Sequence, residues 1–222
     1  VESVCLVVVT SNRGLCGAFN SNVIKAAIAL MEGKYSEQRK AGKLTLLTIG
    51  KRGNDFFKKR FEGKIIKDHV DLFNDLSFEN VSHIARGLMS AFEKGEYDAI
   101  EVAYGQFKNA ATQHPRTEQF LPVAKMEQKE DGSLRADYIF EPDKKELLDY
   151  LVPSILQNQF HKYMLDTHAS EHGARMTAMD KATENADELL RDLKISYNKA
   201  RQEAITKEIL EIVGGAAALG SE

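Results

Sequence analysis

Apolar positions along the chain follow two different periods, and the change falls near residue 146. Ahead of it, short continuous apolar runs alternate with stretches of helical spacing; beyond it, only the helical spacing is left. The valine-rich run over 4–10 predicts a strand buried on both faces of a sheet, and 20–38 predicts the helix that follows it. Runs over 44–49 and 64–70 predict a second and a third strand on either side of a short helix at 50–61. A further amphipathic helix is expected over 78–94. Strand candidates at 97–107 and 118–126 close this part, with a Glu130-Asp131-Gly132-Ser133 turn after them. Strands alternating with helices imply an α/β fold, a Rossmann-like layered domain with a mostly parallel sheet over 1–145.

Over 146–222 the pattern predicts a long C-terminal helix. From Ser154 to Val213 there is no proline and one glycine, Gly173, while Pro153 fits an early helical position or a small kink. Within this run Met176, Met179, Thr183, Ala186, Leu190, Leu193, Tyr197, Ala200 and Ala204 recur at alternating steps of three and four. That is the seam of a two-stranded coiled coil, and it demands a partner helix. At about 1.5 Å per residue such a helix would reach roughly 90 Å, against a body roughly 40 Å across for the residues before it. It is therefore expected to extend well past its own domain. After Ala204 the apolar stripe moves to Ile205, Ile209 and Ile212, a one-residue shift that points to a different partner for the end of the chain.

Composition narrows the class without deciding it. With 222 residues, four prolines, 43% hydrophobic and 28% charged positions, the chain has room for one ordinary domain and its helical extension. A formal charge of −3 argues against general nucleic-acid binding, although Lys51, Arg52, Lys58, Lys59 and Arg60 form a local basic cluster suited to a solvated helix face. Cys5 and Cys16 are too few for a disulfide framework and suit a reducing compartment. No stretch has the continuous apolar length of a membrane span. The chain opens at Val1 inside a strand pattern instead of at a methionine, so its N-terminus is expected to be incomplete, with a targeting segment or the partner of the long helix upstream.

Three constellations could carry chemistry. Thr10 to Asn20, containing Gly14 and Gly17, lies between a buried strand and a helix, where doubly wound folds place phosphate loops. Its glycines give only GxxG, no Lys-Ser or Lys-Thr pair follows, and no ribose-binding carboxylate ends the next strand. A tight turn is the plainer reading. Cys16 could be a thiolate at a helix N-terminus, or an unreactive loop cysteine. His168-Ala169-Ser170-Glu171-His172 matches the H-x-x-E-H pattern of one class of zinc peptidase. A straight helix, however, carries every later carboxylate away from the two imidazoles, which leaves the third ligand to be found.

The chain closely resembles the gamma subunit of the rotary proton-driven ATP synthase. The matching segments are Thr10-Ser11-Asn12-Arg13-Gly14-Leu15-Cys16-Gly17-Ala18-Phe19-Asn20, Tyr138-Ile139-Phe140-Glu141-Pro142-Asp143, and Ala169-Ser170-Glu171 through Ala174-Arg175-Met176 to Tyr197-Asn198-Lys199-Ala200-Arg201-Gln202. Ile205-Thr206-Lys207-Glu208 and Glu211 to Leu219 extend the likeness, which covers nearly the whole chain. Asn12 stands where the family has aspartate, Ala18 where it has glycine, and His172 where it has glutamine, which makes H-x-x-E-H a coincidence of one lineage. No cysteine follows Cys16, so the regulatory thiols of chloroplast members are not implied.

The resemblance implies a non-catalytic subunit without cofactor or metal, a central rotor shaft that couples rotation of a membrane ring to conformational cycling of catalytic beta subunits. It implies partners: the alpha and beta subunits of the catalytic hexamer, the epsilon subunit, and the membrane ring of proton-carrying subunits. By position, Arg201 and Gln202 match the pair that meets a beta-subunit catch loop, and Arg175, Thr206 and Glu208 match positions that influence coupling. Asn12, Arg13 and Cys16 match the loop that approaches an acidic lever of a beta subunit, Tyr138 the foot that faces ring and epsilon, and Gly214 to Leu219 the apolar tip in its bearing. The implied location is peripheral, on the cytoplasmic face of a bacterial inner membrane. Two other classes answer to the same residues: a coiled-coil scaffold without a rotary role, and a small α/β nucleotide-binding or zinc-dependent enzyme.

Overall fold

A computed structural model describes residues 1–123, 141 and 143–219, the last three of these by backbone alone. The expected strand residues 124–126, the turn at 130–133 and Tyr138 lie outside the described residues.

The valine-rich run forms β1 (Val4–Val9), and every one of its residues is fully buried, because it is the middle strand of a five-stranded sheet. The others are β2 (Leu44–Ile49), β3 (Lys64–Ile66), β4 (Ala99–Asn109) and β5 (Thr112–Leu121), in the order β3-β2-β1-β4-β5. β1 pairs in parallel with β2 and β4, and β2 in parallel with β3. Only β5 runs antiparallel, as the return of a hairpin with β4. Parallel neighbours require crossovers, which α1 (Phe19–Glu32), α2 (Ser36–Lys40), α3 (Lys51–Phe57) and α4 (Phe78–Glu93) supply. Alternate residues of β1 feed two cores. Val4, Leu6 and Val8 pack with Phe19, Val23, Ala27 and Met31 of α1, while Cys5, Val7 and Val9 pack with Val81, Ile84 and Leu88 of α4. Burial pushes the Cys5 thiol up to about 12, which makes it a small apolar side chain here.

Element boundaries differ from expectation in ways the chemistry explains. The helix expected over 20–38 breaks at Gly33, and α2 restarts at Ser36. The third strand stops at Ile66, and 72–74 turns into a short 3₁₀ segment. β5 begins six residues ahead of the expected 118, since its middle residues His114, Pro115, Arg116 and Thr117 are exposed on a sheet edge and carry no apolar alternation. β4 also holds a buried acid that the pattern does not announce. Glu101 accepts from Tyr35 Oη at 2.8 Å and pairs with Lys34 Nζ, so its charge is compensated where it is buried.

The long helix, α5 (Lys144–Leu219), starts two residues ahead of the expected 146 because Asp143 caps it. Asp143 Oδ1 accepts from the N–H groups of Lys145 at 2.7 Å and Glu146 at 2.9 Å, leaving the first turn satisfied. Pro153 sits inside the helix without ending it. The chain divides into two compact units, Val1–Thr177 and Ala178–Glu222. In the first, Leu156, Phe160, Tyr163 and Met164 of α5 complete the core on the α4 face of the sheet.

Candidate functional site

β1 ends beneath a loop of nine residues that fastens itself from within. Ser11 N–H donates to Asn20 Oδ1 at 2.9 Å, and Asn20 Nδ2 donates to Ser11 Oγ at 2.7 Å and to Cys16 Sγ at 3.1 Å. Ser11 Oγ in turn donates to the Arg13 carbonyl at 2.5 Å. The neighbouring crossover adds two ties: Arg52 N–H donates to the Ser11 carbonyl at 3.1 Å, and Lys51 N–H to Asn12 Oδ1 at 3.1 Å. A third comes from α5, where Arg175 donates from Nε and Nη2 to the Gly14 carbonyl at 3.4 and 3.3 Å. Arg175 Nη2 also pairs with Glu171 Oε1 at 2.6 Å, and that carboxylate is buried. A Cβ on Gly14 would come within 2.5 Å of Arg52 Nη2, the mobile end of a long side chain, so the arginine would have to move aside.

The arrangement brings Asn12, Arg13, Cys16 and Arg175 to one place, with different roles. Arg13 is exposed, whereas Cys16 is buried and serves the loop's own hydrogen bonds. Ser11 and Asn20 spend their polar atoms inside the loop, where they hold its shape.

Next to this loop α5 lies close on the β4–β5 hairpin. Ser170 Oγ donates to the Gly105 carbonyl at 3.1 Å, and Gly105 N–H donates to Thr167 Oγ1 at 3.3 Å, past the last residue of β4 that pairs with β1. The lone glycine of the long run finds its reason here. A Cβ on Gly173 would lie 3.0 Å from Ala110 Cα and 3.1 Å from its carbonyl oxygen. Thr177 Oγ1 donates to that same carbonyl at 3.2 Å.

The H-x-x-E-H residues do share a face, with His168 and His172 Nε2 atoms 3.2 Å apart. Glu171, however, is committed to Arg175, and among the described residues no third histidine, cysteine or carboxylate joins them in a metal-sized group. His168 stacks on Phe73, and its pKa is held below the usual 6.5 by burial, then by His172 and Arg175, with Glu171 acting the other way.

In the unit from Ala178 on, every described side chain after Met179 is exposed, including Arg201, Gln202, Thr206 and Glu208. Among the described residues none of these four makes a side-chain hydrogen bond or ion pair; the one ion pair nearby joins Lys207 and Glu211. Leu190, Leu193 and Tyr197 stand in the same open row, Tyr197 at 68% exposure.

Comparison with known proteins places this geometry. The family described as ATP synthase matches residues 1–219. A protein of Cytophaga hutchinsonii named ATP synthase gamma chain is 51% identical over 223 residues, covering 100% of this chain and 75% of that protein. One of the same name from Flavobacterium johnsoniae is 55% identical over 220 residues, covering 99% and 74%. The chain belongs to the ATP synthase gamma-chain family. Among solved structures, a chain of the Euglena gracilis mitochondrial ATP synthase has the same fold at a TM-score of 0.65 and 22% identity, covering 98% of this chain and 73% of that one. A chain of the Tetrahymena thermophila mitochondrial ATP synthase does so at 0.58 and 23%, covering 82% and 77%. ATP synthase gamma chains are non-catalytic subunits that form the central rotor shaft, which sets aside the enzyme reading of the loop and the histidines.

In this gamma-family chain the seam extends toward the start of α5. The three-and-four spacing runs back from Met176 through His172, Ala169, Leu165, Lys162, Asn158, Ile155, Leu151 and Leu148. Leu148, Leu151, Ile155 and Leu165 are all exposed, while the other side of the same helix segment is buried in the core. Asn158 and Lys162 interrupt the apolar row, and that interruption hid it; the strict heptad phase was the available signal.

Proposed function

We propose that this chain works as the rotor shaft of a proton-driven ATP synthase, the α/β body over 1–145 serving as foot and the helix over 146–222 as one strand of the shaft. The carrying observation is the uncovered apolar row of α5 in a member of this family. A stiff two-stranded shaft transmits torque, and it cycles the catalytic subunits only if its surface contacts their conformations unequally. Alpha and beta subunits surround the helix, and the epsilon subunit and membrane ring meet the foot, where Tyr138 belongs. Arg201 and Gln202 grip a beta-subunit catch loop. Their side chains have no partner within the described chain, which leaves the guanidinium fork free for a carboxylate. Thr206 and Glu208 share that stretch of helix and adjust coupling. Arg175 does so from the helix itself, by tying it to the loop of Asn12 and Arg13 in the foot. That loop meets an acidic lever of a beta subunit, with Cys16 holding its shape from inside. The backbone of 214–219 forms the bearing tip. The subunit sits peripherally, on the cytoplasmic face of a bacterial membrane; the bacterial gamma chains it is similar to support the bacterial setting.

Arg201→Ala with Gln202→Ala in the assembled complex is expected to lower coupled ATP synthesis while assembly and folding stay unchanged, measured by synthesis rate per complex. Unchanged synthesis would refute the assignment of that pair.

A further inference from the structure

We propose that Leu15 is a rigidly presented apolar contact residue that seats in an apolar site bordered by carboxylates on a partner subunit; this rests on, and deepens, the reading of its loop as partner-facing. Leu15 is 76% exposed, and its φ of 63° lies in the left-handed region that a leucine rarely occupies. Nothing local favours either property. A leucine pointed into water gains no burial, and its backbone would relax if glycine or asparagine replaced it. The conformation is instead imposed from outside: Arg175 holds the Gly14 carbonyl, and Asn20 holds Ser11 and Cys16, on both sides of Leu15. Strain kept in place by surrounding structure, at an exposed apolar tip, marks a contact residue.

Charge decides the kind of partner. Arg13 precedes Leu15 closely in sequence, and Arg52 lies against Gly14 in space. Both arginines are exposed, and neither is ion-paired among the described residues. Arg175, nearby, is already satisfied by Glu171. An apolar knob in a loop that carries one unpaired guanidinium group, with a second lying against Gly14, fits a surface that offers an apolar hollow with carboxylates around it.

The test is a Leu15 series in a complex reconstituted with alpha and beta subunits, with a seam-matching partner helix fused ahead of Val1. The readouts are the chain concentration for half-maximal assembly and ATP hydrolysis per complex. Leu15→Gly and Leu15→Asn relieve the backbone, so the isolated chain should melt at the same temperature or higher. In the complex they should weaken assembly or hydrolysis several-fold, Leu15→Asp roughly tenfold or more, and Leu15→Met should restore the parent behaviour. Leu15→Lys should lose less than Leu15→Asp, because the partner is acidic. Parent assembly with all variants equal to it would overturn the proposal and leave the shaft reading standing. So would Lys losing more than Asp. A parent chain that does not assemble at all would overturn both.

Discussion

The two stretches of α5, before and after Thr177, are the same secondary structure under opposite conditions. In the first, the helix carries two apolar rows: Leu156, Phe160, Tyr163 and Met164 are buried against the sheet, while Leu148, Ile155 and Leu165 are open. In the second, the seam through Leu190, Leu193 and Tyr197 and the shifted stripe of Ile205, Ile209 and Ile212 are both open, Ile212 at 72% exposure. A helix buries an apolar stripe because that burial stabilises it; one that keeps a regular stripe uncovered over many turns is built for a surface outside itself. The polar details agree. Before Thr177 the side chains of Thr167, Ser170 and Arg175 are bonded to the backbone of β4 or the loop, whereas Arg201, Gln202, Thr206 and Glu208 reach nothing within the described chain.

Substitutions can break this contrast. Phe160→Ala removes a fully buried ring that packs on Phe120 with centroids 5.5 Å apart, and should cost about 3–5 kcal/mol in denaturant unfolding of the chain. Gly173→Val forces a branched side chain into the contact with Ala110 and should cost about 1–3 kcal/mol by the same measurement. The effect of pH is smaller and has a definite sign. With its folded pKa held below 6.5, His168 favours the neutral form in the fold, so its contribution is full above 6.5 and is lost as pH falls through the lower, folded value. His168→Gln should flatten the acid limb of stability below pH 6.5. Leu190→Ala with Leu193→Ala should change the chain's own stability least, by about 0.5 kcal/mol or less, because neither side chain is buried in it. The same pair should weaken the chain's capture of a seam-matching helix many-fold, and equal capture would contradict the contrast.

Much of this was legible in the residues. The valine run of β1, the helical spacing of α4 and the heptads of α5 each carry one unambiguous period, and each became the expected element. What stayed hidden depended on non-local contacts. β5 lacks apolar alternation because His114 to Thr117 are exposed on both faces of the strand at a sheet edge, and Glu101 reads as a surface residue until Lys34 and Tyr35 meet it. The site was legible only in part. The spacing of Thr10 to Asn20 fixed a loop between strand and helix, but its fastening by Arg175 spans 161 positions of sequence, and no local pattern can show such a contact.

The most direct test of the shaft reading is reconstitution with alpha and beta subunits, using the chain as it stands and with a seam-matching helix fused ahead of Val1. Complex formation and ATP hydrolysis are followed together. A stable complex that hydrolyses ATP and contains this chain, formed better when the added helix covers the seam, is the expected result. Alpha and beta subunits that exclude the chain in both forms would contradict it.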